Sequence, residues 1–251
     1  MLEVRNLAKH FGGIHAVDGC SFTVAKGSVT GLIGPNGAGK TTAFNCISGT
    51  MVPTEGEIWL NGKRIDRLKP HRITRMGLSR TFQISRNLED LTVLENLVVQ
   101  ARVRGVRGLF GPAIPEAERI KALELLEFLG ITRLAHEQGR SLSYGQKKLM
   151  DFAALLMSEP EIILLDEPAS GVNPRLLDDI VEHIRALNER GLTILIVEHN
   201  MDLVMNLCDH VVVMAQGQVI AQGKPAEVQA DPQVLEAYLG AAAAPVETAH
   251  A

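Results

Sequence analysis

Near the start of the chain, apolar residues alternate with polar ones in period two. Val4, then Cys20, Phe22 and Val24, mark residues 2–24 as β structure. Ser28–Ile33 (S-V-T-G-L-I) is a short apolar run suited to a buried strand, and Thr41–Ser48 is predicted as a helix closed by Gly49. Glu57–Leu60 reads as a strand entering a tight turn at Asn61-Gly62. The period then changes. Thr92 and Glu95 form a capping box, and Leu94, Leu97, Val98 and Ala101 fall on one helical face. A loop with Gly105, Gly108, Gly111, Pro112 and Pro115 follows. Glu116 and Glu118 open a second helix, which buries Ala122, Leu125, Leu126 and Leu129 and ends at Gly130. A third helix begins at Ser143 and carries Leu149, Phe152, Ala153 and Leu156. After residue 160 strands return at Ile162–Leu165 and Thr193–Val197. Helices are expected at Arg175–Arg190 and Met201–Cys208. A hairpin of His210–Ala215 and Gln218–Ala221 turns at Gln216-Gly217, and residues 226–239 close the chain with one or two helices. The expectation is an α/β core, residues 1–83 and 158–240, interrupted by a helical insertion at 84–157 and followed by a mobile tail, 241–251.

Bulk properties narrow the classes. The 251 residues allow one large domain or two small ones, and 46% hydrophobic residues allow a sizeable core. A net charge of −4 with no densely basic region argues against a nucleic-acid partner. Cys20, Cys46 and Cys208 are widely separated, which suggests a reducing compartment, no zinc site and three small buried hydrophobes. The opening M-L-E-V-R-N-L lacks a signal-peptide layout, and the longest apolar runs are far too short to span a bilayer. The expectation is a soluble protein, or one that docks on a membrane through partners. Arg102, Arg104 and Arg107 form a small basic patch, read as a solvated face, with lipid headgroups as the functional rival.

The chemistry is concentrated in a few stretches. Residues 34–41, G-P-N-G-A-G-K-T, fit the phosphate-loop pattern and lie between a predicted strand and a predicted helix. Gly34, Gly37 and Gly39 let the backbone turn its N–H groups inward around an anion; Pro35, Asn36 and Ala38 complete the loop. The helix behind it adds about half an elementary charge. Lys40 can reach the β- and γ-phosphates, and the Thr41 hydroxyl, followed by Thr42, can ligate Mg²⁺. Residues 162–168, I-I-L-L-D-E-P, put two carboxylates at the end of a buried strand, where ligands of parallel sheets sit. By strand alternation Asp166 faces the metal and Glu167 the attacking water, which favours hydrolysis over transfer to a small molecule. His199 ends the next strand, T-I-L-I-V-E-H; it is either structural or a γ-phosphate contact. In L-S-Y-G-Q, residues 142–146, Ser143 is an ordinary N-cap, or with the Gly145 N–H and the helix dipole a second anion site. On their own, Gln83 is an unremarkable polar residue and Phe11 is either core or a stacking platform.

Taken in order, the phosphate loop, T-F-Q at 81–83, L-S-Y-G-Q, I-I-L-L-D-E-P and His199 resemble the ATP-binding subunit of ABC transporters over about residues 1–240. That resemblance implies an α/β fold: a RecA-like P-loop NTPase core with an N-terminal antiparallel β subdomain and an inserted α-helical subdomain. It implies an ATPase with ATP and Mg²⁺. Glu167, His199 and Gln83 would be catalytic; Thr41, Gln83 and Asp166 would serve the metal; Phe11 would stack on adenine. Leu142, Ser143, Tyr144, Gly145 and Gln146 would bind the ATP of a partner subunit, and Asn173 would close the D-loop. Tyr144 stands where most members have glycine, and Asn173 where most have aspartate. With R-T-F-Q, L-T-V-L-E-N-L and A-Y-L-G at 237–240, these departures resemble the G-type ATPase of branched-chain amino acid importers. The implied partners are a second ATPase subunit (a sister or a copy of this chain), two integral membrane permeases and an extracytoplasmic solute-binding protein, at the cytoplasmic face of the inner membrane. The alternatives keep the family and change the cargo, to lipopolysaccharide export or urea and amide import. A rival of another class is a soluble ABC ATPase acting on DNA or ribosomes. Copurification with membranes as against nucleic acid separates the two classes.

Overall fold

The computed structural model describes residues 1–80, 88–99, 101 and 114–242. In chain order the elements are β1 (Leu2–Phe11), β2 (Ile14–Val24), β3 (Val29–Ile33), α1 (Lys40–Ile47), β4 (Glu55–Leu60), β5 (Lys63–Arg64), α2 (Pro70–Arg75) and β6 (Leu78–Arg80). Then come α3 (Val93–Val99), α4 (Glu116–Phe128), α5 (Tyr144–Leu156), β7 (Ile162–Asp166), α6 (Pro174–Glu189), β8 (Thr193–Val197) and α7 (Met201–Leu207). The chain closes with β9 (His210–Ala215), β10 (Gln218–Gly223), α8 (Pro225–Gln229) and α9 (Pro232–Ala242). Two compact units result: Met1–Leu68 with Leu195–Ala251, and Lys69–Ile194.

In the first unit, β2-β1-β4-β5 form a four-stranded antiparallel sheet. Leu2 pairs with Val24 on one side and with Leu60 on the other. Along β2 buried and exposed residues alternate from Cys20 to Val24, the mark of a sheet with one solvated face. The same unit holds a mixed sheet, in which β9 runs parallel to β3, with Thr30 opposite His210, and antiparallel to β10. All five residues of β3 are buried, because a parallel strand is covered on both faces. The molecule is an α/β P-loop fold, and the phosphate loop leaves the end of β3 as predicted.

In the second unit β6 runs parallel to β7, with Leu78 opposite Ile162. Helices α3, α4 and α5 pack on one another as a helical layer. The Thr92–Glu95 capping box forms in both directions: Thr92 N–H donates to Glu95 Oε2 at 2.8 Å, and Glu95 N–H to Thr92 Oγ1 at 3.2 Å. Asn96, buried one turn into α3, satisfies its amide on the segment before the helix. It accepts from Leu88 N–H at 2.9 Å and donates to the carbonyls of Leu88 and Thr92 at 3.1 and 3.0 Å. Helix α2 and strand β6 were not anticipated, since both are too short to show a period. Of the residues that mark the glycine- and proline-rich loop only Pro115 is described, as the N-cap of α4; the others, the Arg102, Arg104 and Arg107 patch and Gln83 lie outside the described residues. Of the expected mobile tail 241–251, residues 241 and 242 instead belong to α9, while the rest lies outside. Among the described residues no helix is long and apolar enough to cross a membrane.

The three cysteines are buried and unpaired with one another. Burial pushes the Cys20 and Cys208 thiols up to about 12 and Cys46 to about 11. A thiol raised from 9.0 on folding supports the folded state fully below that value, and loses the contribution as pH climbs toward 11–12. In native protein at pH 8 no thiol should react with an aromatic disulfide reagent within minutes, while urea-unfolded chain should release three equivalents. Rapid labelling of the folded protein would contradict this burial.

Candidate ATP site

In the first unit the loop of residues 34–41 forms a tight wrap. Gly39 sits at φ +98 and is the N-cap of α1; a Cβ there would lie 2.3 Å from the Ala16 carbonyl. At Gly34 a Cβ would lie 2.0 Å from the Met214 carbonyl. Neither position admits a side chain, so the loop must be glycine at both. Ala38 N–H donates to Pro35 O at 3.2 Å, and Gly217 N–H donates to Ala38 O at 3.0 Å. Lys40 Nζ donates back to Gly34 O at 2.7 Å and Pro35 O at 3.0 Å, which folds its ammonium over the mouth of its own loop. Asn36, Gly37 and Thr41 are exposed there, while Ala38 is buried and Thr42 half-buried. A concavity lined by backbone, closed by one ammonium and backed by a helix start fits a polyphosphate.

Phe11 ends β1 and is 46 % exposed, which decides against the core reading of this residue. Lys9 Nζ lies 5.2 Å from its ring centroid on one face. Burial raises the Tyr238 phenol above the ordinary tyrosine range, and its hydroxyl has no hydrogen-bond partner among the described residues.

His199 does not end a strand. Strand β8 stops at Val197, and Glu198 follows with 0 % exposure. Glu198 Oε2 accepts from the backbone N–H of His199 at 3.1 Å and of Asn200 at 3.3 Å. That carboxylate terminates the strand and turns the chain into α7, whose N-cap is Asn200. The His199 side chain is 63 % exposed, with Nδ1 3.9 Å from Glu198 Oε2. Sequence reasoning passed over Glu198; its signal was a carboxylate set between an apolar strand and an N-cap.

In the second unit Asp166 is the last residue of β7 and is buried. Its Oδ2 accepts from Arg80 Nη2 at 2.7 Å, with the two side chains 3 % and 8 % exposed. Arg80, at the head of R-T-F-Q, is a site residue that the sequence reading used only as a branch marker. Truncating one partner of so buried a pair typically costs ~3–5 kcal/mol. Glu167 departs from the expected strand alternation. It has left the strand, at φ +46, and the turn it begins is closed by Ser170 N–H donating to Glu167 O at 3.0 Å. The left-handed backbone of Glu167 itself, not the pleat, sets the direction of its carboxylate.

Ser143 is the N-cap of α5, and the capping box is complete. Gln146 N–H donates to Ser143 Oγ at 3.4 Å and Ser143 N–H to Gln146 Oε1 at 2.9 Å. Gln146 is thus a capping residue, a role that sequence reasoning missed although S-x-x-Q spells it. Leu142 is buried beneath the turn, with Ser143 and Tyr144 exposed and Gly145 half-buried. Tyr144 leans over the segment after Glu167. Its hydroxyl donates to Ser170 O at 3.3 Å. Beside it, Lys148 Nζ donates to the carbonyls of Glu167, Pro168 and Ser170 at 3.3, 3.1 and 2.5 Å. Asn173 caps α6, its side chain accepting from Leu176 N–H at 2.9 Å. The turn at Ser143–Tyr144 and the segment 167–170 are therefore one tied structure. Gly171, at φ +69, would place a Cβ 2.9 Å from Tyr144 Cε1. Gly171→Ala should lower stability by ~1–2 kcal/mol, from the left-handed backbone penalty. Adding Tyr144→Ala should recover part of any loss beyond that. Urea midpoints of the single and double variants measure both; a neutral Gly171→Ala would contradict the geometry.

Comparison with known proteins places this geometry. The family model "ABC transporter" matches residues 17–170, and "Branched-chain amino acid ATP-binding cassette transporter" matches residues 218–244. The chain is 41% identical to the probable branched-chain amino acid transport ATP-binding protein LivG of Archaeoglobus fulgidus, over 98% of both chains. A solved ATP-binding cassette of an ABC transporter in its ADP conformation is 40% identical, with a TM-score of 0.85 over 96% of this chain and 98% of that one. A dimeric bacterial ABC transporter cassette is 26% identical, with a TM-score of 0.78 over 90% of this chain and 99% of that one. With a family model spanning more than half of its length and a relative matched nearly end to end, the chain belongs to the ATP-binding subunits of ABC transporters, which are ATPases, in the branch that carries the branched-chain amino acid C-terminal segment.

Proposed function

We propose that this ATPase powers uptake of branched-chain amino acids through partner membrane subunits. The observation that carries the cargo is the match of the closing segment, residues 218–244, to a family model specific to branched-chain amino acid cassettes. Residues 1–240 act as the ATP-binding domain, with 84–157 as its helical subdomain. The working form is a head-to-tail pair with a sister ATPase or a second copy. Dimerisation of the related cassette and the exposure of Ser143 and Tyr144 support this reading.

Lys40 exchanges its loop carbonyls for β- and γ-phosphate oxygens, while the N–H groups of residues 36, 37 and 39–42 hold phosphate oxygens beside it. Phe11 offers its free face to adenine. Thr41, Asp166 and Gln83 would hold Mg²⁺, which would supply positive charge against the negative charge that develops on the phosphates. Glu167 takes the proton of the attacking water, and His199 hydrogen-bonds the γ-phosphate. Ser143 and Gly145, within Leu142–Gln146, complete the site of the opposite subunit, with Asn173 closing the D-loop beside it. To swing a pair from 1:99 to 99:1 closed, ATP must favour the closed state by ~5.5 kcal/mol. Contacts made only in the closed pair supply that difference, and loss of the γ-phosphate releases it. Gln83 and the helical subdomain pass the motion to two permeases at the cytoplasmic membrane face, fed by a solute-binding protein outside.

The test is reconstitution in vesicles with the permeases and binding protein of a branched-chain amino acid importer. Leucine-loaded binding protein should raise ATP turnover several-fold, with leucine accumulating inside. Turnover indifferent to leucine, isoleucine and valine would remove the cargo assignment and leave the ATPase intact.

A further inference from the structure

Among the described residues, one cluster of metal-ligating side chains lies outside everything assigned above: His10, His15 and Asp18. The hairpin of β1 and β2 turns at Gly12-Gly13, and its register sets His10 directly opposite His15. Directly opposed residues of an antiparallel pair present their Cβ atoms to one face, ~5 Å apart. The two imidazoles accordingly stack, with centroids 3.9 Å apart and planes 19° from parallel. A register shift between Lys9 and His10 then brings Asp18 beside them. Its Oδ1 lies 4.0 Å from His10 Nε2 and 3.8 Å from His15 Nδ1. All three ligand atoms fall within 4.8 Å of one another.

The independent observation is His10 Nε2 itself. The atom is buried and has no hydrogen-bond partner, and 4.0 Å to the carboxylate is too long to be one. A polar atom out of water and unpaired is costly, and a site that leaves one so, beside a carboxylate and a second imidazole, is built for something between them. We propose that His10 Nε2, His15 Nδ1 and the Asp18 carboxylate bind a divalent transition-metal ion of the zinc class. Two imidazoles and one carboxylate suit Zn²⁺, Co²⁺ or Ni²⁺ and not Mg²⁺, which prefers oxygen ligands. Tetrahedral bonds of ~2.0–2.2 Å place donors ~3.4 Å apart, so the two nitrogen–carboxylate separations close by about half an ångström and the imidazoles turn out of their stack to aim both lone pairs at the ion. The His15 and Asp18 side chains are 55 % and 46 % exposed, which lets them move that far and leaves water the fourth position. The ion would staple the hairpin one residue from Phe11. Any effect on nucleotide binding rests on the adenine role proposed for Phe11; metal binding does not.

The experiment uses full-length, tag-free chain without nucleotide, titrated with Zn²⁺ by calorimetry and with Co²⁺ by its visible absorption. One ion per chain is expected, with intense tetrahedral Co²⁺ bands and a Zn²⁺-dependent rise in Tm. His10→Asn and His15→Asn should each weaken binding by about tenfold or more, and the double variant should abolish both the bands and the Tm rise. Wild-type Tm without metal in each variant shows that the fold is kept. Absence of saturable binding, or binding unchanged in the double variant, overturns the proposal. Neither result bears on Lys40 or on ATP turnover.

Discussion

Lys40→Ala should bind ATP roughly 100-fold more weakly than the parent chain and show no measurable turnover. A hydrogen bond to a charged group contributes about 1.5–3 kcal/mol, and Lys40 has more than one to offer. Its ammonium is held by the carbonyls of Gly34 and Pro35, at 2.7 and 3.0 Å, at the mouth of the loop it would serve. Those two bonds are lost with ATP in place, so the net gain is smaller than the gross attraction to two phosphates. They also predict a cost to the empty protein, because the variant leaves both carbonyls without this donor. Nucleotide titration by fluorescence and thermal unfolding without ligand separate the two effects. Unchanged ATP affinity would remove Lys40 from the phosphate contact and with it the reading of residues 34–41.

The second large effect is expected at Glu167. Glu167→Gln keeps the size of the side chain and the left-handed backbone at φ +46, and removes only the base. General-base catalysis contributes about 10²–10⁴-fold, so kcat should fall by that range with ATP affinity preserved. If release of the closed pair needs hydrolysis, the variant should collect as ATP-bound dimers on size exclusion. The carbonyl of Glu167 is tied by Lys148 at 3.3 Å and is unaffected by the change, so a folding defect should not mimic the result. Turnover near that of the parent would count decisively against Glu167 as the base. Asp166 offers the contrast. Its carboxylate is paired with Arg80 at 2.7 Å in a buried setting, so Asp166→Ala should cost stability as well as activity.

Much of this protein was legible in one dimension. The strand, loop and helix around Lys40 were read from apolar runs and glycine spacing, because burial on both faces of a parallel strand demands an unbroken apolar string. The helices at Glu116 and Tyr144 were read from period and caps, since both are local properties of a dozen residues. Order along the chain was also enough to recognise the family, whose motifs are short and widely spaced.

What tertiary structure decided is of another kind. Alternation along a strand predicted opposite directions for Asp166 and Glu167; the chain leaves the strand at Glu167, and a left-handed residue sets its direction instead. His199 was expected in a strand, yet the buried Glu198 carboxylate takes the next two N–H groups and ends it. The pairing of Arg80 with Asp166, of Tyr144 with Ser170 and of His10 with His15 joins positions whose closeness depends on register or on a turn. Sequence by itself determined which elements form and which chemistry they carry, because hydrophobic period, caps and glycine loops act within a few residues. Which carboxylate faces which donor was left to packing, because hydrogen bonds and ion pairs depend on distances of a few tenths of an ångström, and only the assembled backbone sets those.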